Sequence, residues 1–315
     1  MNIVLTDCNT VNADDLVLSA LERFGNVTYY GETPRELTAE RIKDADIVII
    51  NKTLIEKKEI DAAPHLRLIA LFATGYNNVD VEYARQKGIT VCNAGSYSTF
   101  AVAQQVFGYI LAHACQIAQY DADVKKGDWI ASRLFCFFSR PTTELYGKTL
   151  GIFGYGTIGK KVAEIANAFG MNVLACSRTV KNDSSVTFVD FDTLLSESDY
   201  LSVHCPLTDA TKERFDAEAF AKMKPTAYFI NTARGGVINE QALANALNSG
   251  IIAGAAVDVL TTEPMRADCH LLTATNITIT PHIAWAPIET RKRLLSIVEK
   301  NIEAFLDGKP QNVVN

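Results

Sequence analysis

The sequence lacks the features that mark several classes of protein. Its 315 residues contain no C-x-x-C pair, internal repeat or charge run. No apolar run approaches the roughly 18 residues that a membrane span needs. The seven cysteines are scattered, which argues against a disulfide framework or a thiolate zinc site. No two histidines have metal-ligand spacing on a shared element, so we expect no metal.

The charge balance is also modest. Lys and Arg total 30 and Asp and Glu total 36, which gives a formal net charge of −6. This balance provides no general basic field for nucleic acid or an anionic membrane. The amino-terminal segment lacks the basic region and the apolar stretch of a signal peptide, and unpaired cysteines are typical of a reducing compartment. We therefore expect a cytoplasmic protein that binds neither nucleic acid nor a membrane.

Short apolar, β-branched runs alternate with helix-length periodic segments in two stretches of the chain. The first begins with a predicted strand, Asn2–Leu5, and a predicted helix, Ala13–Phe24. The second runs from Lys148 to about Thr280. Between them, residues 99–120 predict one long apolar helix. Such alternation predicts an α/β protein with parallel sheets that are covered on both faces.

A glycine-rich turn lies between the predicted strand Thr149–Phe153 and the predicted helix Ile158–Phe169. It has the pattern G-x-G-x-x-G and consists of Gly154, Tyr155, Gly156, Thr157, Ile158 and Gly159. The first glycine permits a tight turn, the second lets a pyrophosphate approach the backbone, and the third lets helix and strand pack closely. The amino terminus of the helix offers N–H groups to phosphates. This context favours a dinucleotide site over a turn with incidental glycines.

The end of the next predicted strand, Met171–Cys176, favours NADP over NAD. An NAD site usually has an acidic residue there, which binds the adenosine ribose. This chain has Ser177 and Arg178 instead, which offer space and positive charge to a 2′-phosphate. Two alternatives stay open: Arg178 is an ordinary solvated charge, or Asp183 reaches a ribose and the cofactor is NAD.

Further motifs follow one another along almost the whole chain. They are ATGYNNVD at 73–80, the glycine turn at 154–159, HCPLT at 204–208, NTARGG at 231–236, DVLTTEP at 258–264 and PHIAW at 281–285. In this order they resemble the D-isomer-specific 2-hydroxyacid dehydrogenases, with the hydroxypyruvate/glyoxylate reductase and glycerate dehydrogenase branch closest. The resemblance implies two doubly wound parallel-sheet domains. A Rossmann-type cofactor domain, residues 99–285, would be inserted into a flavodoxin-like substrate domain, residues 1–98 plus 286–315. It also implies a homodimer formed through the long helix.

Reduction of a 2-oxo acid needs an anchor for the carboxylate, a proton donor for the carbonyl oxygen and a nicotinamide cofactor. Arg234 follows the predicted strand Ala227–Asn231, and a guanidinium can hold a carboxylate through two parallel hydrogen bonds. His282 follows another predicted strand, and histidine is the natural acid/base near neutral pH. The resemblance assigns both residues to the active site and makes Glu263 the partner of His282. From the sequence alone, Glu263 is equally well explained as a loop carboxylate.

The resemblance implies further contacts that spacing alone does not. The substrate carboxylate would also meet backbone N–H groups of Thr74 and Gly75. The residues that would line the nicotinamide side are Thr232, Ala233 and Asp258. Those that would line the adenosine side are Pro206 and Thr211.

We therefore expect an NAD(P)-dependent enzyme that reduces a small 2-oxo acid, such as glyoxylate or hydroxypyruvate, to the D-2-hydroxy acid. Trp285 would favour short substrates if it faced the pocket, although a packing role fits equally well. One alternative is D-3-phosphoglycerate dehydrogenase, for which Lys52 is the one obvious phosphate-binding candidate. Another is a dinucleotide-sensing, corepressor-like interaction protein, which would not need Arg234, Glu263 and His282 together.

Overall fold

The chain forms two compact units in a computed structural model that describes residues 1–179 and 182–315. The first unit comprises Met1–Ser98 and Trp285–Asn315, and the second comprises Thr99–Ala284. Trp285 therefore falls in the first unit, one residue before the predicted boundary. Which unit binds the substrate and which the cofactor stays a prediction. Within the described ranges, no helix has both the length and the apolar character of a membrane span.

The first unit is built on a parallel sheet. Its strands are β1 (Asn2–Leu5), β2 (Asn26–Tyr29), β3 (Ile47–Ile50), β4 (Leu68–Leu71) and β5 (Thr90–Cys92). Its α-helices are α1 (Thr38–Ile42), α2 (Lys57–Ala62), α3 (Val81–Gln86) and the carboxy-terminal helix Ile288–Leu306, which is α11 of the chain. The strand order is β2-β1-β3-β4-β5, which is the flavodoxin-like arrangement. β3 and β4 are buried along their whole length, as the continuous apolar runs predicted.

The predicted helix Ala13–Phe24 is wrong in its first half. The structure has 3₁₀ helices at Cys8–Thr10, Leu18–Phe24 and, further along, Arg35–Leu37. The side chain of Asn12 accepts hydrogen bonds from the N–H groups of Asp15 and Leu16, at 3.0 and 2.9 Å. A side chain that binds the local backbone in this way competes with helix formation.

The second unit is also built on a parallel sheet. Its strands are β6 (Thr149–Phe153), β7 (Asn172–Cys176), β8 (Thr187–Phe188), β9 (Tyr200–Val203), β10 (Tyr228–Asn231), β11 (Gly254–Val257) and β12 (Ile277–Ile279). Its α-helices are α4 (Thr99–Cys115), α5 (Ile117–Lys126), α6 (Asp128–Ser132), α7 (Thr157–Ala168), α8 (Phe191–Glu197), α9 (Ala217–Ala221) and α10 (Glu240–Asn248). Two 3₁₀ helices, Gly235–Val237 and His270–Thr273, complete it. The strand order β12-β11-β10-β9-β6-β7-β8 reverses direction at β6, which confirms the Rossmann-type prediction.

The predicted helix over 99–120 is two helices. Gln116 lies between α4 and α5 with φ at +53°, in the left-handed region. Its side-chain amide donates to the carbonyl oxygen of His113 at 2.7 Å, which satisfies an acceptor at the end of α4. The apolar pattern continues on both sides of this residue, so the pattern does not reveal the break.

Three neighbouring strands of the second sheet end at the same level. The register pairs Asn231 of β10 with Val257 of β11, and Val257 with Ile279 of β12. Because the strands are parallel, the segments that follow them emerge side by side at the carboxyl edge of the sheet. This edge is where open α/β sheets bind ligands.

His113 on α4 gives the second unit a pH-dependent contribution to stability. Its ring stacks on that of Tyr228, with 4.1 Å between the centroids. Burial lowers the pKa of His113 below its usual value, so the native ring stays neutral where the unfolded chain binds a proton. This contribution is present above the unfolded pKa of about 6.5 and is lost as the pH falls below it.

We therefore predict that lowering the pH from about 7 to about 5 reduces the urea midpoint less in His113→Phe than in the wild type. The variant keeps an aromatic ring in place but removes the titration. His65→Phe, at an exposed histidine, is the control, and its urea midpoint should fall as much as that of the wild type. An equal fall of the urea midpoint in the wild type and in His113→Phe would contradict the prediction.

Candidate active site

His282, which follows the carboxyl end of β12, pairs with the carboxylate of Glu263, which lies between β11 and β12. His282 Nδ1 lies 2.6 Å from Glu263 Oε2. The other carboxylate oxygen, Oε1, accepts a hydrogen bond from the N–H of Leu260 at 2.9 Å, so both oxygens are fixed. Because a carboxylate only accepts hydrogen bonds, Nδ1 carries the proton and Nε2 is left for another partner. About a quarter of the His282 side chain (26%) is exposed.

The turn that carries His282 has an unusual backbone conformation. His282 has φ at +55°, in the left-handed region that non-glycine residues rarely occupy. This region costs about 1–2 kcal/mol per residue, so the surroundings must hold it. The His282 N–H donates to the carbonyl oxygen of Asp258 at 2.8 Å. The N–H groups of Ile283 and Ala284 donate to the Asp258 carboxylate at 2.9 and 2.8 Å. Asp258, which follows β11, therefore fixes the turn.

An exposed arginine follows the neighbouring strand, β10. The buried side chain of Asn231 closes the turn after the strand, since its Oδ1 accepts from the Ala233 N–H and its Nδ2 donates to the Arg234 carbonyl, both at 3.0 Å. The Arg234 guanidinium donates to the Ala233 carbonyl at 2.7 Å. In the described part of the chain, no carboxylate pairs with this guanidinium. Most of its donors thus remain for an anion.

The Arg234 turn contacts the loop that carries Glu263. A Cβ atom on Gly235 would overlap the carbonyl group of Leu260, so only glycine allows this approach. Leu260 is the residue whose N–H holds Glu263. The structure thus brings Arg234, Glu263 and His282 to one edge of the second sheet. Their catalytic roles stay predictions.

The glycine turn leaves room for a pyrophosphate. Gly154 has φ at +101°, and a Cβ there would lie 2.7 Å from backbone atoms of His204 and Cys205. The helix α7 begins with Gly156 as its N-cap, without a side-chain hydrogen bond to its first turn. A Cβ on Gly156 would meet nothing within 4 Å. Open space beside the uncapped N–H groups of a helix fits a dinucleotide phosphate.

Of the other predicted cofactor residues, Thr232 has a polar atom that would fit a bound group. The Thr232 hydroxyl is buried and has no hydrogen-bond partner among the described residues. An unsatisfied buried hydroxyl costs about 1–3 kcal/mol, which a ligand atom could recover. Thr211 donates to the Pro206 carbonyl at 2.7 Å and accepts from the Thr208 N–H at 2.8 Å, which closes that loop on itself.

The acidic residue considered for the ribose is engaged elsewhere. Tyr155 donates to one carboxylate oxygen of Asp183 at 2.8 Å, and the N–H and hydroxyl of Ser185 donate to the other at 3.1 and 2.6 Å. The hydrogen bonds from Ser185 and Tyr155 lower the pKa of Asp183 to about 2. Ser177 is half-buried and Arg178 is exposed directly after β7. The end of this strand therefore carries a hydroxyl and a positive charge.

The predicted substrate-binding loop lies in the first unit. Thr74 and Gly75 follow β4 at the carboxyl edge of the first sheet. The Thr74 hydroxyl donates to the Gly95 carbonyl, and the Asn93 side-chain amide donates to the Thr74 carbonyl at 2.8 Å. These bonds fix the loop that presents the two backbone N–H groups.

Trp285 has a packing partner within the first unit. It is half-buried, and its ring lies edge-on to that of Tyr97, with 6.3 Å between the centroids. It packs against the same apolar cluster as α11. This arrangement favours the packing alternative for Trp285.

The other four histidines have different surroundings. His204 Nε2 is bonded to the buried Ser202 hydroxyl at 2.9 Å, and burial lowers the pKa of His204 to about 3. His113 is held neutral in the same way. The two exposed ones are His65 and His270. In residues 1–179 and 182–315, no cluster of three or more histidine, cysteine or acidic side chains could hold a metal ion.

Comparison with known proteins decides the family. Residues 107–284 match the family model described as "D-isomer specific 2-hydroxyacid dehydrogenase, NAD binding domain". The chain belongs to this family. It is therefore an enzyme, an oxidoreductase with an NAD-binding domain. The resemblance found in the motifs is thereby confirmed.

Individual relatives extend the family match over the whole chain. A hydroxypyruvate reductase from Blautia hydrogenotrophica is 42% identical over 322 residues, which cover 100% of both chains. An acyclic imino acid reductase solved in complex with NADPH and D-Arg is 32% identical, with a TM-score of 0.88 and 100% coverage of both chains. An NADPH-dependent glyoxylate/hydroxypyruvate reductase from Sinorhizobium meliloti is 28% identical, with a TM-score of 0.85, and the match covers 99% of this chain and 97% of that one.

Proposed function

We propose that the enzyme reduces a small 2-oxo acid, of the size of glyoxylate or hydroxypyruvate, to the D-2-hydroxy acid. The observation that carries the proposal is the 2.6 Å hydrogen bond between His282 and Glu263, at the sheet edge that also presents the guanidinium of Arg234. A proton donor and a carboxylate anchor are the two groups that such a substrate requires. The names of the hydroxypyruvate reductase and glyoxylate/hydroxypyruvate reductase relatives support the substrate class.

Each of these side chains has one role in the proposed reaction. Arg234 binds the substrate carboxylate through two hydrogen bonds. His282 gives the proton on Nε2 to the carbonyl oxygen. Glu263 holds Nδ1–H and so fixes the orientation of the ring. When bound, the reduced nicotinamide supplies the hydride. Oxidation of the hydroxy acid reverses these steps.

The test follows nicotinamide absorbance with glyoxylate, hydroxypyruvate and 3-phosphohydroxypyruvate as substrates. We predict activity on the first two, and a fall in kcat of at least about 100-fold in His282→Ala, because general acid catalysis contributes that much. The dissociation constant for the cofactor should not change. His270→Ala, at an exposed histidine, is the control and should retain full activity.

Three outcomes would count against the proposal. A His282→Ala enzyme near full speed would remove the acid/base role. A clear preference for 3-phosphohydroxypyruvate would favour the phosphoglycerate dehydrogenase alternative and direct attention to Lys52. A chain that binds cofactor but reduces none of these acids would revive the corepressor-like alternative.

We further propose that the preferred cofactor is NADP. Ser177 and Arg178 stand where an NAD site usually has an acid, and Asp183 is held by Tyr155 and Ser185. The residues that would line the cofactor are those of the glycine turn with Pro206, Thr211, Thr232, Ala233 and Asp258. Two of the solved structures that are similar to this chain, the imino acid reductase and the glyoxylate/hydroxypyruvate reductase, are described with NADPH.

Ser177→Asp should move the preference toward NADH by at least about tenfold in kcat/KM, because a carboxylate accepts hydrogen bonds from the ribose and repels a 2′-phosphate. The measurement is kcat/KM for NADPH and NADH with one 2-oxo acid. Ser177→Asn has a similar size without the charge and should shift the preference less. A wild-type enzyme that already prefers NADH would contradict the NADP proposal.

We propose that the enzyme forms a homodimer through the second unit. The segment that follows α5 exposes large apolar side chains, which are Trp129, Ile130, Leu134, Phe135 and Phe138. The Phe135 side chain is 93% exposed and Ile130 is 83% exposed. Several such side chains on one short segment are typical of a protein interface.

The double variant Ile130→Ser/Phe135→Ser should raise the dimer dissociation constant at least about 30-fold, since truncating a central interface residue costs about 2 kcal/mol or more. Sedimentation equilibrium of the two proteins measures this change. Val17→Ser, at an exposed apolar residue of the first unit, is the control. A wild-type protein that is monomeric at micromolar concentration would contradict the proposal.

We also propose a cytoplasmic location for the enzyme. All seven cysteines are free, and some of them are exposed. Free exposed thiols are typical of proteins in a reducing compartment.

A further inference from the structure

We propose that Tyr109, on α4, is a positioning residue for His282 and acts through Thr280 and Asp258. The inference rests on the acid/base role of His282 proposed above. Tyr109 does not belong to any of the motifs that identify the family, and it lies on a helix whose sequence is mostly apolar.

The first step is a continuous chain of hydrogen bonds. The Tyr109 hydroxyl lies 2.5 Å from Thr280 Oγ1, and Thr280 Oγ1 lies 2.5 Å from Asp258 Oδ1. A threonine hydroxyl has one proton, and a carboxylate can only accept. Thr280 therefore donates to Asp258, and Tyr109 donates to Thr280. Burial raises the pKa of Tyr109, which keeps this donor protonated at any working pH.

The second step is the position of the Asp258 carboxylate. Its Oδ1 accepts from Ile283 and Thr280, and its Oδ2 accepts from Ala284. The side chain is 2% exposed and forms no ion pair within the described residues. A buried carboxylate without a cation depends on its hydrogen bonds. The Thr280 hydroxyl sets the rotation of the carboxylate, so that each oxygen faces its own N–H group.

The third step leads to His282. Its left-handed backbone is held between Thr280 and Ile283, both of which are bound to the Asp258 carboxylate. A strained conformation persists only where its surroundings over-determine it. If the carboxylate rotates, the turn relaxes and Nε2 moves away from the substrate oxygen. Catalytic groups must be held within about 0.5 Å, so a small displacement lowers the rate.

Packing alone does not account for the hydroxyl of Tyr109. The side chain is 4% exposed and lies in an apolar cluster with Val106 and Ile110. Phenylalanine would fill this space without bringing a polar atom into it. A buried hydroxyl is unfavourable unless it is hydrogen-bonded. The Tyr109 hydroxyl is bonded to the side chains of Gln105 and Thr280, and Thr280 is the residue that holds Asp258.

The test compares Tyr109→Phe with Tyr228→Phe. Both variants remove one buried hydroxyl from the same cluster, but the Tyr228 hydroxyl is bonded to Thr278 rather than to Thr280. We expect Tyr109→Phe to lower kcat about tenfold, with KM for the 2-oxo acid and for NADPH within about twofold. Tyr228→Phe should retain kcat, and the melting temperatures of the two variants should be similar. An equal loss of kcat in both variants, or no loss in Tyr109→Phe, would overturn the proposal.

A second pair of variants tests the same series of hydrogen bonds at Thr280, its middle residue. Thr280→Val keeps the shape but removes the hydroxyl, and it should lower kcat at least as much as Tyr109→Phe. Thr280→Ser keeps the hydroxyl and should restore most of the rate. These variants decide the question if Tyr109→Phe does not fold. Equal rates for the Val and Ser variants would overturn the proposal.

A double-mutant cycle separates this inference from the proposed function. If Tyr109 acts through His282, Tyr109→Phe should have less than about a twofold effect in a His282→Gln background, measured in single turnovers. A tenfold effect there would overturn the inference but leave the role of His282 intact. Full activity of His282→Gln itself would instead contradict the proposed function.

Discussion

A buried carboxylate holds the site of the second unit together. Asp258 has no cation beside it in the described part of the chain, yet it is almost fully buried. It is stabilised by the hydroxyl of Thr280 and by two N–H groups of the turn that carries His282. The same bonds that make the carboxylate tolerable in the interior keep the turn in its left-handed conformation. The position of the proposed proton donor therefore depends on the hydrogen bonds of a buried aspartate that takes no part in the proton transfer itself.

In the first unit, too, the side chain of a buried aspartate binds the backbone of a neighbouring loop. Asp7 follows β1, and its carboxylate accepts hydrogen bonds from the N–H groups of Asn51, Lys52 and Thr53, at 2.9, 2.6 and 2.8 Å. These residues follow β3, the neighbour of β1. Parallel strands leave unpaired N–H groups where the chain turns away from the sheet, and these groups must find acceptors. In each unit, an aspartate at the end of one strand binds the loop after the adjacent strand.

Much of this arrangement follows from sequence patterns. Apolar runs that alternate with periodic segments predicted both sheets, and polar residues after Asn231 and Ile279 pointed to the sheet edge where Arg234 and His282 lie. The failures have local causes. A pattern of apolar residues at helical spacing does not reveal the side-chain hydrogen bonds of Asn12 or the left-handed backbone of Gln116. Tyr109 and Thr280 are far apart in the chain. A tyrosine on a mostly apolar helix gives no sign of which residue its hydroxyl will contact.

The division of the chain into units also decides which unit is completed first during synthesis. The core of the first unit includes Leu294, Val298 and Ile302 of α11, and Val313 forms a β-bridge with Cys92, the last residue of β5. The whole second unit lies between these residues and β5 in the sequence. On the ribosome, the second unit is therefore complete while the first sheet still lacks one of its covering helices. The apolar face of the first sheet that α11 will cover therefore stays without this helix while the entire second unit is translated.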